Sequence, residues 1–436
     1  MYRRRRLQPN WELTSELNSM SEHKHGGANR VDTAEEGAQN RPTGPPDSGP
    51  CGAAARRAEP DGFNRTARSI TVVASTEDRG MDMGRGRGGP AGLADTLGEL
   101  AMSNGEHESN LPLGLDVGTS RIVVARSADK AHPSQYESQL NAFLTMPYSK
   151  LTESLLVREG VFHEVFGGEL VVTGNDAQKF AEVFHVETRR PMLRGMLNPQ
   201  EPHSLAVMRS IIGRLLGKAG VAGRKVFFSV PAPYLEGDPA IAYHEASIRQ
   251  ILKQLGFDGQ AIQEGLAVVF GEMSGSNYTG IGISCGSGLC NVCLAVLSVP
   301  VISFAVPKAG DFIDTQAAAV TGELATRIRV LKESIFAVNG LSGDLVQNAL
   351  TVYYDDVILT LANALRSTIS STQRLPKLDQ SVPIVLSGGT AIPKGFLNRF
   401  TTALRVEDFP IKISEIRVAE DPLNSTARGA LMAALC

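Results

Sequence analysis

The sequence predicts an α/β fold of two similar lobes, each a central mixed sheet flanked by helices, with a cleft between them. Two observations carry this. From Leu111 onward, strand-like apolar runs alternate with segments of helical period. A strand, glycine turn, strand pattern also occurs twice, as "LPLGLDVGTSRIVVARS" from Leu111 and "TGIGISCGSGLCNVCLAVLSV" from Thr279. Gly114-Leu115-Asp116-Val117-Gly118 lies over Gly282-Ile283-Ser284-Cys285-Gly286, so an internal duplication supplies one hairpin to each lobe.

Before the first hairpin, residues 1–110 are rich in Gly, Pro, Arg, Ser and Asn ("RPTGPPDSGP", "GRGRGGPAG") and lack sustained apolar periodicity. They read as a disordered tail. "MYRRRRLQPNWEL" reads as solvated chain or as a basic-aromatic anchor at a membrane surface, and a start at Met81, Met83 or Met102 fits the same composition. Between the hairpins come a helix over 204–217, a strand over 225–233 and a helix over 240–256 closed by Gly256. After the second hairpin follow a long helix over 346–369 and a third glycine turn in "VPIVLSGGTAIPKGF" (382–396).

The 436 residues, 42% hydrophobic and 20% charged, exceed one ordinary domain and can bury a large core. A net charge of −3 speaks against nucleic acid as a partner, the run Arg3 to Arg6 notwithstanding. No apolar stretch reaches the ~20 residues of a membrane span, and no signal peptide opens the chain. Cys51 and Cys436 lie far from Cys285, Cys290 and Cys293, which suggests no disulfide framework and a reducing cytoplasm.

The central three cysteines have the Cys-x4-Cys-x2-Cys spacing of plant-type iron–sulfur loops. On one strand, however, Cys290 and Cys293 would point to opposite faces, so they are expected as small buried apolar residues. His163, His185, His203 and His244 show no metal-ligand spacing, and His244 is expected at the surface or boundary of its helix.

Glycine turns after strands bring backbone N–H groups close to phosphates. Two such hairpins and a third turn, spread over two lobes, suggest a nucleotide held between them. At this point the motifs resemble the actin-like ATPase superfamily. "GLDVGTS" resembles its first phosphate loop, "GISCGSGLCNV" stands where the second belongs, and "IVLSGGTAIPKGF" resembles its adenosine loop. "VVTGNDAQ", "RRPMLRGML", "VPKAGDFID" and "VAEDPLNSTARGAL" are most similar to bacterial actins of the MreB and MamK type.

The resemblance implies an actin-like fold with lobe I over 111–275 and lobe II over 276–421, the C-terminal helix 422–436 returning to lobe I. It implies ATP or ADP as ligand, with magnesium held by Asp116. Gly118, Thr119 and Ser120 would meet the phosphates from lobe I, and Gly286, Ser287 and Gly288 from lobe II. Gly310, with Asp311, would lie near the ribose and phosphates. Lys332 would lie beside the base, and Gly388, Gly389 and Thr390 against the adenosine. Glu264 would help position the attacking water.

Three departures from the family pattern stand out. Ser284 replaces the second loop's acid and Leu289 its threonine. Gly265 replaces the proline after Glu264. Only about a dozen residues follow Lys332 where bacterial actins carry a small strand-rich subdomain, so lobe II has a reduced outer part. Loss of a carboxylate beside magnesium implies at most a slow ATPase. The implied function is that of a cytoskeletal, filament-forming protein in the cytoplasm, of the kind that shapes cells. A non-polymerising scaffold of FtsA-like type, with membrane-associated protein partners at the inner membrane face, stays open beside it. A small-molecule kinase of the same fold is a third reading.

Overall fold

The computed structural model describes residues 111–127, 135–184, 186–234, 240–334, 336–373, 375–378 and 380–436. The tail assigned to 1–110 and His185 lie outside them. The first lobe opens with β1 (Leu113–Val117), β2 (Arg121–Arg126) and β3 (Gln135–Leu140). A small sheet of β4 (Phe143–Pro147), β5 (His163–Phe166) and β6 (Glu169–Thr173), ordered β4-β6-β5, follows with α1 (Lys150–Arg158) and α2 (Asn175–Phe184). A tight hairpin, β7 (Met192–Leu193) with β8 (Met196–Leu197), leads to α3 (Ser204–Leu216), β9 (Arg224–Val230), α4 (Ala240–Gln254), β10 (Phe257–Gln263) and α5 (Glu264–Glu272). The main sheet of this lobe runs β10-β9-β1-β2-β3.

The second lobe repeats the plan with β11 (Gly280–Cys285), β12 (Cys290–Val296), β13 (Val299–Val306), α6 (Gly310–Thr321), α7 (Ala325–Ser334), α8 (Leu345–Ser371), β14 (Val382–Ser387), α9 (Phe396–Leu404) and β15 (Ile413–Val418). Its sheet runs β13-β12-β11-β14-β15. The last helix, α10 (Ser425–Leu435), crosses back, and its Ala427 and Leu431 pack against Val123 and Ala125 of β2.

The duplication holds in the register. Asp116 pairs with Val123 as Ser284 pairs with Asn291, and both turns close alike, Gly118 N to Arg121 O at 3.1 Å and Gly286 N to Leu289 O at 2.9 Å. Each hairpin also takes a parallel partner at the same place, Leu115 beside Phe228 of β9 and Ile283 beside Leu386 of β14. Ser229 and Ser387 therefore occupy equivalent positions.

Element ends follow from chemistry. β9 stops at Val230 because Pro231 and Pro233 cannot donate to a ladder. α8 begins at Asp344, whose carboxylate accepts from Gln347 N at 2.7 Å, and it buries Leu350, Tyr354, Val357, Leu361 and Leu365 at three- and four-residue steps. Between α7 and α8, residues 336–344 contain an isolated bridge from Ala337 to Lys394 and no strand.

The central cysteines are free and fully buried. Cys290 packs with Val292 and Ile302, whereas Cys293 packs on the other face with Val268 and Val269, as strand alternation requires. His244 is a correction. It is fully buried, not at a surface or boundary, because α4 lies against the β7–β8 hairpin and Leu197 N donates to Nδ1 at 3.2 Å. Burial holds its imidazole neutral, with the pKa down to about 4. No described helix is long and apolar enough to cross a membrane.

Candidate functional site

Between the lobes lies a cleft of about 1030 Å³. Asp116, Gly118, Thr119 and Ser120 line it from the β1–β2 turn, Gly286, Ser287 and Gly288 from the β11–β12 turn, and Gly388, Gly389 and Thr390 from the turn after β14. Glu264, Gly310 and Lys332 complete the wall. Of the residues that the sequence suggested for the site, all but Asp311 line this one cavity.

Hydrogen bonds hold the turns of the second lobe to one another. Thr390 Oγ1 donates to Gly286 O at 2.7 Å, Asp311 N to Ser287 O at 2.7 Å, and Lys332 Nζ to Gly310 O at 3.0 Å. Lys332 is buried, and Asp314 at 2.7 Å balances its charge. Across the cleft, a Cβ on Gly288 would strike Thr119 Oγ1 and Gly195 N, so only glycine lets the two lobes' turns come this close. Gly388, at φ 88°, sits where a side chain would strike the Cys285 carbonyl.

Two carboxylates share the inner end of the cleft. Asp116 accepts from Ser229 Oγ at 2.8 Å, and Glu264, the first residue of α5, accepts from Ser284 Oγ at 3.0 Å. Burial raises the Asp116 pKa to about 6 against the Ser229 hydrogen bond. Burial, and after it the charge of Asp116, pushes Glu264 up to about 8 despite the hydrogen bond from Ser284. Near neutral pH the pair therefore keeps a proton, chiefly on Glu264.

The donor set suits an anionic ligand. Ser287 Oγ is buried without a partner, and the closely apposed glycine turns leave backbone rather than side chains at the inner wall. Among the described residues no group of three or more His, Cys, Asp or Glu is arranged to hold a metal. A cation at Asp116 would thus need further oxygens from a bound anion and from water, which is the ligation magnesium favours.

Ser229, Arg190 and Asp314 also belong to the site and were not singled out from the sequence. Ser229 had a signal, a hydroxyl inside the apolar strand "KVFFSVPAP" matching Ser387 in "VPIVLSGG". Arg190 lies in "RRPMLRGML" and Asp314 in "VPKAGDFID", but only the fold brings Arg190 to Asp311 and Asp314 to Lys332.

The Volactin family model matches residues 111–434. The chain belongs to the Volactin family. No curated protein matches the sequence. Among solved structures, this Volactin is similar to a MamK double helical filament, at 18% identity and a TM-score of 0.58, covering 74% of this chain and 98% of the other. It is also similar to MreB5 of Spiroplasma citri bound to AMPPNP, at 12% identity and a TM-score of 0.52, and to the same protein bound to ADP, at 13% and 0.51. Each MreB5 comparison covers 73% of this chain and 94% of the other. At these identities the likeness establishes an actin-like two-lobed fold for this Volactin.

Proposed function

We propose that the chain binds ATP or ADP with magnesium in the cleft and assembles into cytoskeletal filaments in the cytoplasm, hydrolysing ATP slowly or not at all. One observation carries this: three glycine turns assigned to a nucleotide from sequence, at 118–120, 286–288 and 388–390, line a single cavity with Asp116 and Glu264, and Ser287 Oγ there is buried without a partner. Asp116 would hold magnesium, which when bound supplies positive charge against the phosphates. The turns at 118–120 and 286–288 would cradle the phosphates and Gly388 to Thr390 the adenosine, with Lys332 beside the base.

Slow hydrolysis is supported by Ser284, which stands where the resemblance expects an acid and donates to Glu264 Oε2 at 3.0 Å, leaving one carboxylate fewer to fix the metal and the attacking water. Filament assembly is supported by the structural likeness to MamK, whose solved form is a double helical filament. Head-to-tail contacts of that kind propagate when they do not close.

Titration calorimetry with MgATP and MgADP, on the parent and on Asp116→Ala, tests the nucleotide element. No heat of binding to the parent would remove it. The strandless segment 336–344 favours a second reading, a nucleotide-binding scaffold that does not polymerise. Negative-stain microscopy with and without ATP separates the two, since filaments in either condition exclude the scaffold.

A further inference from the structure

Among the described residues, the lobes are joined at the back by close packing and the Arg417–Glu272 ion pair, and at the cleft by one charged contact. At the back, α5 of the first lobe lies so close on β11 and β12 of the second that a Cβ on Gly282 would meet the Gly265 carbonyl, and Ala232 N donates to Asn291 Oδ1 at 2.8 Å. On the cleft side, among the described residues, one ion pair passes from lobe to lobe. Arg190 Nη1 donates to Asp311 Oδ1 at 2.8 Å and to Oδ2 at 3.1 Å. The pair lies across both glycine turns, since Arg190 Nη2 also reaches Ser120 Oγ at 3.4 Å and Asp311 N donates to Ser287 O.

Both ends are anchored. Arg189, next to Arg190, exchanges two backbone hydrogen bonds with Phe143, and its guanidinium meets Glu201 at 2.6 Å. Asp311 stands in the first turn of α6, where the helix dipole favours an acid. A pair with fixed ends resists separation of the elements that carry it. Opening has a ready alternative, because Arg329 of the second lobe lies 3.9 Å from Asp311. Arg329 is itself hydrogen-bonded to Asp314 at 3.3 Å, so it is held where Asp311 would keep a cationic neighbour if the lobes parted.

We propose that the Arg190–Asp311 pair is a latch across the cleft that sets how fast a bound nucleotide leaves. The inference rests on the nucleotide reading of the cleft and adds its control. Arg190 acts as a positioning residue, holding the first lobe against the second. Release requires the pair to break, and the exchange of Asp311 from Arg190 to Arg329 accompanies opening.

The test is displacement of N-methylanthraniloyl-ADP from the full chain with magnesium present, chased with excess ADP in a stopped-flow fluorimeter. Arg190→Gln and Asp311→Asn should each speed release about fivefold or more, and the double variant should be no faster than either single one. Raising salt from about 0.1 to about 0.5 M should speed release from the parent and leave the variants unchanged. Singles within about twofold of the parent, or a double variant showing the product of both effects, would overturn the latch. If a variant fails to fold by circular dichroism, the parent's salt response decides, and release independent of salt overturns the proposal. A parent that does not bind the labelled ADP overturns the nucleotide reading itself, whereas binding with unaltered variants overturns the latch alone.

Discussion

Ser284 donates its hydroxyl to Glu264 Oε2 at 3.0 Å, where the actin-like resemblance leads one to expect an acid facing the cleft. Ser284 and Asp116 occupy equivalent places in the two hairpins, so the duplicated site has one carboxylate and one hydroxyl on its matched strands. The hydroxyl gives Glu264 a donor, and a second acid in its place would add like charge to a buried pair already short of solvent. The serine thus stabilises the buried carboxyl pair, and under the proposed magnesium reading it would weaken the hold on the cation.

Ser284→Asp should reverse both effects. In chelator, the variant should melt on the order of 5 °C below the parent from like-charge repulsion. Magnesium with ATP should raise its melting temperature more than the parent's, because a ligand that binds only the folded state stabilises it. Scanning calorimetry in the two buffers checks this, and equal magnesium responses would contradict the role given to Ser284.

Glu264→Gln removes a buried acid while keeping an acceptor for Ser284. The folded pKa of Glu264 lies above its unfolded value, so the folded chain prefers the protonated form and loses stability as pH rises from about 4.5 through about 8. The variant should be more stable than the parent at pH 8.5, by on the order of 1–3 kcal/mol, and no more stable at pH 4.5. Urea midpoints at the two pH values decide it, and a gain that does not grow with pH would count against a charged-state penalty at Glu264.

Much of this site was legible before the fold was known, because it is local. A glycine turn after an apolar strand is written in consecutive residues, and the matched segments from Gly114 and Gly282 carry over into identical pairing. What the sequence does not show are contacts closed only by the chain's return. Arg190 meets Asp311, and Gly429 meets Ala267, across long separations in sequence. The burial of His244 is hidden from the sequence for a related reason. One polar residue on an amphipathic helix looks exposed until the β7–β8 hairpin folds over it.

His244 gives a pH dependence of opposite sign. Its folded pKa is depressed to about 4, so its contribution is intact above the ordinary histidine value and fades as pH falls from about 6.5 towards 4. His244→Asn, which retains an acceptor for Leu197 N, should blunt the acid loss of stability in that window. Melting curves at pH 7 and pH 5 provide the check: the parent should lose more than the variant, and equal losses would assign the acid response to other groups.

α5 and α10 cross with their backbones in close approach, and two glycines permit it. A Cβ at Gly429 would sit on the Ala267 carbonyl, backbone that cannot rotate away, whereas a Cβ at Gly271 would lie 2.8 Å from Ser425 O, a milder clash near the helix end. Both positions are helical, so alanine would favour the helix by about 1 kcal/mol if space allowed. Sterics should win at both sites, and by more at Gly429. Gly429→Ala should lower the urea midpoint by several times the effect of Gly271→Ala, with a loss on the order of 3 kcal/mol or more. Because α10 also packs on β1 and β2, separating the helices should loosen the first lobe's sheet along with the joint. Faster amide exchange in residues 113–126 of Gly429→Ala than of Gly271→Ala would show that coupling, and equal exchange would confine the damage to the two helices.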